Sequence, residues 1–88
     1  MREMSMYEIA RRLVDWGKAE DPYGFNDCYD SDEEALTEIL KDFEYRDRLQ
    51  GDIEYLQAYT IENPYGELAD EAGEIIEMIQ QWMKENGV

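Results

Sequence analysis

Histidine is absent from the chain. Its absence removes the commonest general base, the usual partner of serine and cysteine nucleophiles, and the commonest zinc ligand. Cysteine occurs once, as Cys28, so no internal disulfide can form, as suits a reducing cytosol. Asp27 and Asp30 flank Cys28, and negative neighbours blunt a thiol's reactivity. Cations are scarce: 8 Lys and Arg face 23 Asp and Glu, a net charge of −15. Such a balance repels phosphates and excludes direct binding of nucleic acid. It favours a basic partner, or acidity that serves solubility. Long apolar runs are missing as well: the opening stretch MREMSMYEIARRLVDWG is neither a signal peptide nor a membrane span. Glycine-rich phosphate loops and zinc spacings are also missing, so no cofactor is expected and the chain reads as non-enzymatic.

What remains is compact helical patterning. Eighty-eight residues make one domain, 1–88, and at 43% hydrophobic, with two Trp, two Phe and seven Tyr, the chain can bury a small core. Ser5 and Glu8 form a capping box, with Met4 and Ile9 as its hydrophobic staple, so a helix is predicted over 5–19. Ile9, Ala10, Leu13, Val14 and Trp16 share one face of it, and Gly17 should loosen its end. Pro22 and Gly24 point to a turn, with 21–30 as an irregular acidic loop. Ser31 and Glu34 start a second helix whose stripe is Ala35, Leu36, Ile39, Leu40 and Phe43, with Glu34, Glu38, Lys41 and Asp42 facing elsewhere. Asp47 and Gln50 mark a third start, and Leu49, Ile53 and Leu56 keep helical spacing, although 53–61 also has strand character. Asn63-Pro64 suggests a fourth start, followed by the long stripe Leu68, Ala72, Ile75, Ile76, Ile79, Trp82 and Met83, with Asn86-Gly87 as a stop. The expected fold is all-α, a bundle of about four helices.

Glu20-Asp21-Pro22-Tyr23-Gly24 echoes Glu62-Asn63-Pro64-Tyr65-Gly66. A duplicated helical hairpin would produce this pattern, but the flanking residues match poorly, which favours two turns reached independently.

The negative charge has two concentrations. Residues 19–44 net −9 and residues 67–88 net −5. The stretch EDPYGFNDCYDSDEE holds seven acids, three aromatics and no Lys or Arg. An EF-hand calcium loop fits it in neither register: from Asp30, Ala35 takes the glycine place and Lys41 the final glutamate place, and from Asp21 the third place is Tyr23. On the last helix Glu67, Asp70, Glu71, Glu74 and Glu77 fall on one side. Like-charged neighbours three or four apart cost a helix a few tenths of a kcal/mol each, roughly. Such a face is ordinarily a solvated one; here it lacks the interleaved lysines that stability alone would favour.

In length, charge and missing catalytic equipment the chain resembles the small acidic DNA-mimic proteins of phages and mobile elements, of anti-CRISPR or antirestriction type. The stretch MSMYEIARRLVDWGKAEDPYGF also looks similar to modules of the large polyvalent proteins of such elements. These resemblances imply an accessory or anti-defence inhibitor in the cytoplasm of a bacterial host. The expected partner is a basic, nucleic-acid-binding protein or nuclease effector. Asp27, Asp30, Asp32, Glu33, Glu34 and Glu38 make the first candidate surface, with Tyr23, Phe25 and Tyr29 as anchors; Glu67, Asp70, Glu71, Glu74 and Glu77 make the second. The alternatives are a helical accessory domain with an apolar contact and, more remotely, a carboxylate–metal hydrolase.

Overall fold

The Ser5 hydroxyl accepts the Glu8 backbone N–H at 3.2 Å and caps the first helix, α1 (Met6–Glu20). The computed structural model describes residues 5–87, so the Met4 half of the expected staple lies outside the described residues. Gly17 does not end α1, which continues a further turn and buries Ile9, Ala10, Val14 and Trp16.

Asp21 ends α1 and starts α2 (Pro22–Cys28) at once. Its N–H donates back to the Gly17 carbonyl at 3.0 Å, and its carboxylate accepts the Gly24 N–H at 3.0 Å. Pro22, which has no N–H to leave unpaired, fits the first helical position. The expected irregular loop is therefore mostly a short helix. Burial of Phe25, 8% exposed, secures it against the core beside Gly17. A Cβ on Gly24 would collide with the Asp21 carboxylate that caps the helix.

Ser31 caps α3 (Asp32–Asp42), accepting the Glu34 N–H at 3.1 Å, while the Glu34 carboxylate reaches back to the Asp30 N–H at 3.3 Å. Asp32, Glu33 and Glu34 fill its first turn, where the helix dipole favours negative charge. The next helix, α4 (Arg46–Glu62), starts after Tyr45 with no side-chain cap, not at Asp47. It runs unbroken through 53–61 and buries Leu49, Ile53 and Leu56, which resolves that segment as helix.

The last helix, α5 (Glu67–Asn86), starts after Gly66 rather than at Pro64. Gly66 has φ 117°, a backbone state that side chains resist, and this detaches Pro64 and Tyr65 from the helix. Gly87 stops α5 in the left-handed region, its N–H donating to the Met83 carbonyl.

Five helices among the described residues thus replace the expected four, with no strand. In this all-α domain α1 is central. It packs against α2, α3 and α5, while α4 packs against α5 and, more lightly, α3. Trp16 locks the centre: its indole N–H donates to the Leu68 carbonyl at 2.8 Å, and its ring meets Tyr59 edge-on at 5.1 Å. Phe43 meets Trp82 in the same way at 5.0 Å, tying the end of α3 to α5.

Candidate partner-binding surfaces

Because α1 lies between α3 and α5, the two acidic concentrations flank it rather than merge. On one side, Glu33, Glu34 and Glu38 of α3 are exposed, with Asp27 on α2 and Asp30 on the connection between them; Asp32 is half-buried. On the other side, Glu67, Asp70, Glu71, Glu74 and Glu77 are all exposed along α5, opposite the stripe that enters the core.

The cations of α1 reach both faces. Arg12 donates to Glu74 at 2.8 Å, and Lys18 sits 3.1 Å from Asp32. Within α3, Lys41 lies 3.1 Å from Glu38. Each pair is solvent-exposed and contributes about 0–1 kcal/mol. Among the described residues, no ion pair engages Asp27, Asp30, Glu33, Glu34, Glu67, Asp70, Glu71 or Glu77.

The three expected aromatic anchors part company. Tyr23 stands open, 84% exposed. Tyr29 is half-buried and packs on Phe25 at 5.1 Å between ring centroids. Phe25 is core and presents nothing to a partner, because it is the residue that holds α2 down. Besides Tyr23, the most exposed large apolar side chains among the described residues are Ile61, 80% exposed, and Tyr65, 91% exposed and next to the acidic start of α5.

No family model, curated protein or solved structure matches the chain. Its chemistry has to be read from its own side chains.

One acid that formed no part of the expected surfaces, Asp52, is strongly perturbed, and Asp42 lies beside it. Asp42, at the end of α3, does not face solvent as its place in the pattern suggested: its side chain is 19% exposed and lies 3.8 Å from Arg48. Asp52 of α4 lies against it across the helix–helix contact, and its Oδ2 is buried with no donor in reach. Charging both carboxylates at such a place is costly. Desolvation, then the hydrogen bond and the charge of Asp42, push Asp52 up to about 8, so it holds a proton at neutral pH and donates it to Asp42. The Tyr29 phenol is pushed above its ordinary value, chiefly by burial and then by Cys28, Asp42, Glu38 and Asp52. The sequence did carry a signal here. Leu49, Asp52, Ile53 and Leu56 follow i, i+3, i+4, i+7 spacing, which puts an acid inside an apolar stripe.

Asp52 borders a cleft between α1, α3 and α4, about 130 Å³ in volume, which adjoins a second one of about 290 Å³ reaching α2. Leu13, Trp16, Ile39 and Tyr55 wall both. The Tyr55 hydroxyl donates to Glu20 at 3.4 Å, closing one side of the wider cleft. Among the described residues no group of three or more His, Cys, Asp or Glu side chains is placed to hold a metal ion, and no helix is long and apolar enough to cross a membrane.

Proposed function

We propose that this protein is a non-enzymatic acidic binder that occupies the basic groove of a nucleic-acid-binding protein and excludes its proper ligand, in the manner of an anti-CRISPR or antirestriction inhibitor. One observation supports the reading: a row of five exposed carboxylates on a well-anchored helix, of which only Glu74 has a cation beside it among the described residues, Arg12 at 2.8 Å. From Glu67 to Glu77 the axis advances about 15 Å at about 1.5 Å per residue. Five carboxylates in that span come to one per roughly 3–4 Å, comparable with the rise of about 3.4 Å per phosphate of a single DNA strand. Anchored by its apolar stripe, this row meets a basic groove at little ordering cost, and Tyr23 adds an exposed aromatic contact on α2, the helix that carries Asp27 of the other acidic face.

The test is capture of partners from a bacterial lysate, elution by a salt step, and competition with DNA. Reversing Asp27, Asp30, Glu71 and Glu77 to Lys, none of which caps a helix or sits in its acidic first turn, should abolish capture while circular dichroism shows unchanged helicity. Capture that survives this reversal would sink the proposal.

The exposed Ile61 and Tyr65 support a second reading, a helical accessory domain of a phage or mobile element that docks through an apolar contact. Salt separates the two: carboxylate capture weakens steeply with ionic strength, and an apolar contact does not.

A further inference from the structure

We propose that the cleft between α1, α3 and α4 takes one lysine or arginine side chain of the basic partner, with Asp52 as the counter-ion at its closed end. The inference rests on the partner reading above and adds where a single cation enters.

Shape and charge point to the same occupant. Leu13 and Ile39 offer apolar walls to a methylene stem, and the Trp16 and Tyr55 rings border the path its charged head would follow. Among the described residues no Lys or Arg borders the cleft system, so an anion finds no counter-charge there; the acids that border it are Asp52 at the α4 end and Glu20 and Asp21 at the α2 end. Behind Asp52 lie Asp42 and, further along α3, Glu38. A neutral ligand would leave the Asp42–Asp52 pair as it is. A divalent ion wants six or more oxygens, which these walls do not supply. A guanidinium or ammonium on a flexible stem matches both the apolar path and the carboxyl at its end.

Binding carries a proton signature. Asp52 holds a proton at neutral pH, and a cation arriving beside it displaces that proton. Occupancy therefore competes with protonation, and affinity rises with pH until Asp52 is ionised near pH 8. The other groups facing Asp52 do not reproduce this. Arg48 lies 3.8 Å from Asp42, and Tyr29 and Tyr55 are both pushed above the ordinary phenol range. Cys28 borders the wider cleft, so the measurement uses Cys28→Ser. The surface carboxylates of α3 and α5 would bind cations without such a rise.

The probe is n-butylguanidinium, titrated into the full chain with backbone and indole NMR as readout. The expected result is perturbation centred on Trp16 and Gly17, with affinity about tenfold tighter at pH 9 than at pH 7. The neutral isostere n-butylurea should bind at least about tenfold more weakly at pH 9. Asp52→Asn should remove the pH dependence. Gly17→Leu, which puts a side chain into the cleft from a position where a Cβ meets nothing closer than 3.9 Å, should abolish binding. Affinity that is flat from pH 7 to 9, equal binding of the urea, or shifts confined to the outer acidic faces would overturn the proposal. Probe binding in the cleft with no basic partner captured would leave the cation site standing and remove the partner reading. Salt-sensitive capture with no response at Trp16 or Gly17 would do the reverse.

Discussion

Asp52 is a carboxyl whose surroundings ask it to be neutral. The folded protein keeps its proton up to about pH 8, whereas an unfolded chain releases it near pH 4. A proton bound only by the folded state makes stability fall as pH rises. The contribution is complete below about pH 4, declines through the interval, and is gone above about pH 8. Its slope is at most about 1.4 kcal/mol per pH unit. Asp52→Asn keeps the shape, offers Asp42 an amide N–H and removes the titration. Urea denaturation from pH 5 to pH 9 should therefore show the wild type losing stability relative to the variant, which ends about 2 kcal/mol the more stable at pH 9. Parallel curves for the two proteins would refute the shared proton. Trp16 makes a different case. Trp16→Phe keeps much of the ring packing but leaves the Leu68 carbonyl without the indole donor, and should cost about 1–3 kcal/mol in the same assay.

At the scale of elements, the echoed Pro-Tyr-Gly segments are a natural experiment. Asp21 and Asn63 close their helices alike, each donating its N–H to the carbonyl four residues back. Beyond the proline they diverge. Phe25 follows Gly24 and is buried, so Pro22 opens a helix; Glu67 follows Gly66 and stays in water, so Gly66 turns to φ 117° and the helix starts later. Packing of one residue decides between two outcomes of nearly the same local sequence. Phe25→Ala should accordingly release α2 and cost about 3–5 kcal/mol, whereas Tyr65→Ala should stay within about 0.5 kcal/mol. Thermal melts with amide exchange at Tyr23–Cys28 would check this; protection of α2 that survives Phe25→Ala would show that the Asp21 cap suffices. Gly66→Ala, at φ 117° and ψ 168°, should lose about 1–3 kcal/mol.

For the whole molecule, charge is the governing quantity. Its extents are 34 × 30 × 25 Å, so at 0.01 M salt the Debye length of about 30 Å spans it and every acid feels every other. A net charge of −15 then works against the compact state. Raising NaCl from 10 mM to 0.5 M should raise Tm by about 4–8 °C, equivalent to roughly 1 kcal/mol for a domain of this size. A fall in Tm would mean that the exposed pairs Arg12–Glu74 and Lys18–Asp32 outweigh the repulsion. The proposed capture of a basic partner depends on the same field, so capture and folding should respond to salt in opposite directions.

Much of the fold was legible in the sequence by itself, for local reasons. Hydroxyl caps at Ser5 and Ser31, the glycine stop at Gly87 and the 3.6-residue spacing of apolar side chains act within one or two turns, and they specify helices wherever a core exists to receive them. The α5 carboxylate row follows from the same spacing, since residues opposite an apolar stripe must face water. Contact between distant segments decided the rest. Only tertiary packing could bury Phe25 and so make α2 a helix and remove an expected anchor. Only the crossing of α3 and α4 could bring Asp42 to Asp52 and desolvate both. The cleft beside them exists because three helices meet there, and Asp42 and Asp52 stand ten positions apart in the chain. Pattern along a chain reports which face of a helix is wet; what that face meets is set by how the helices cross.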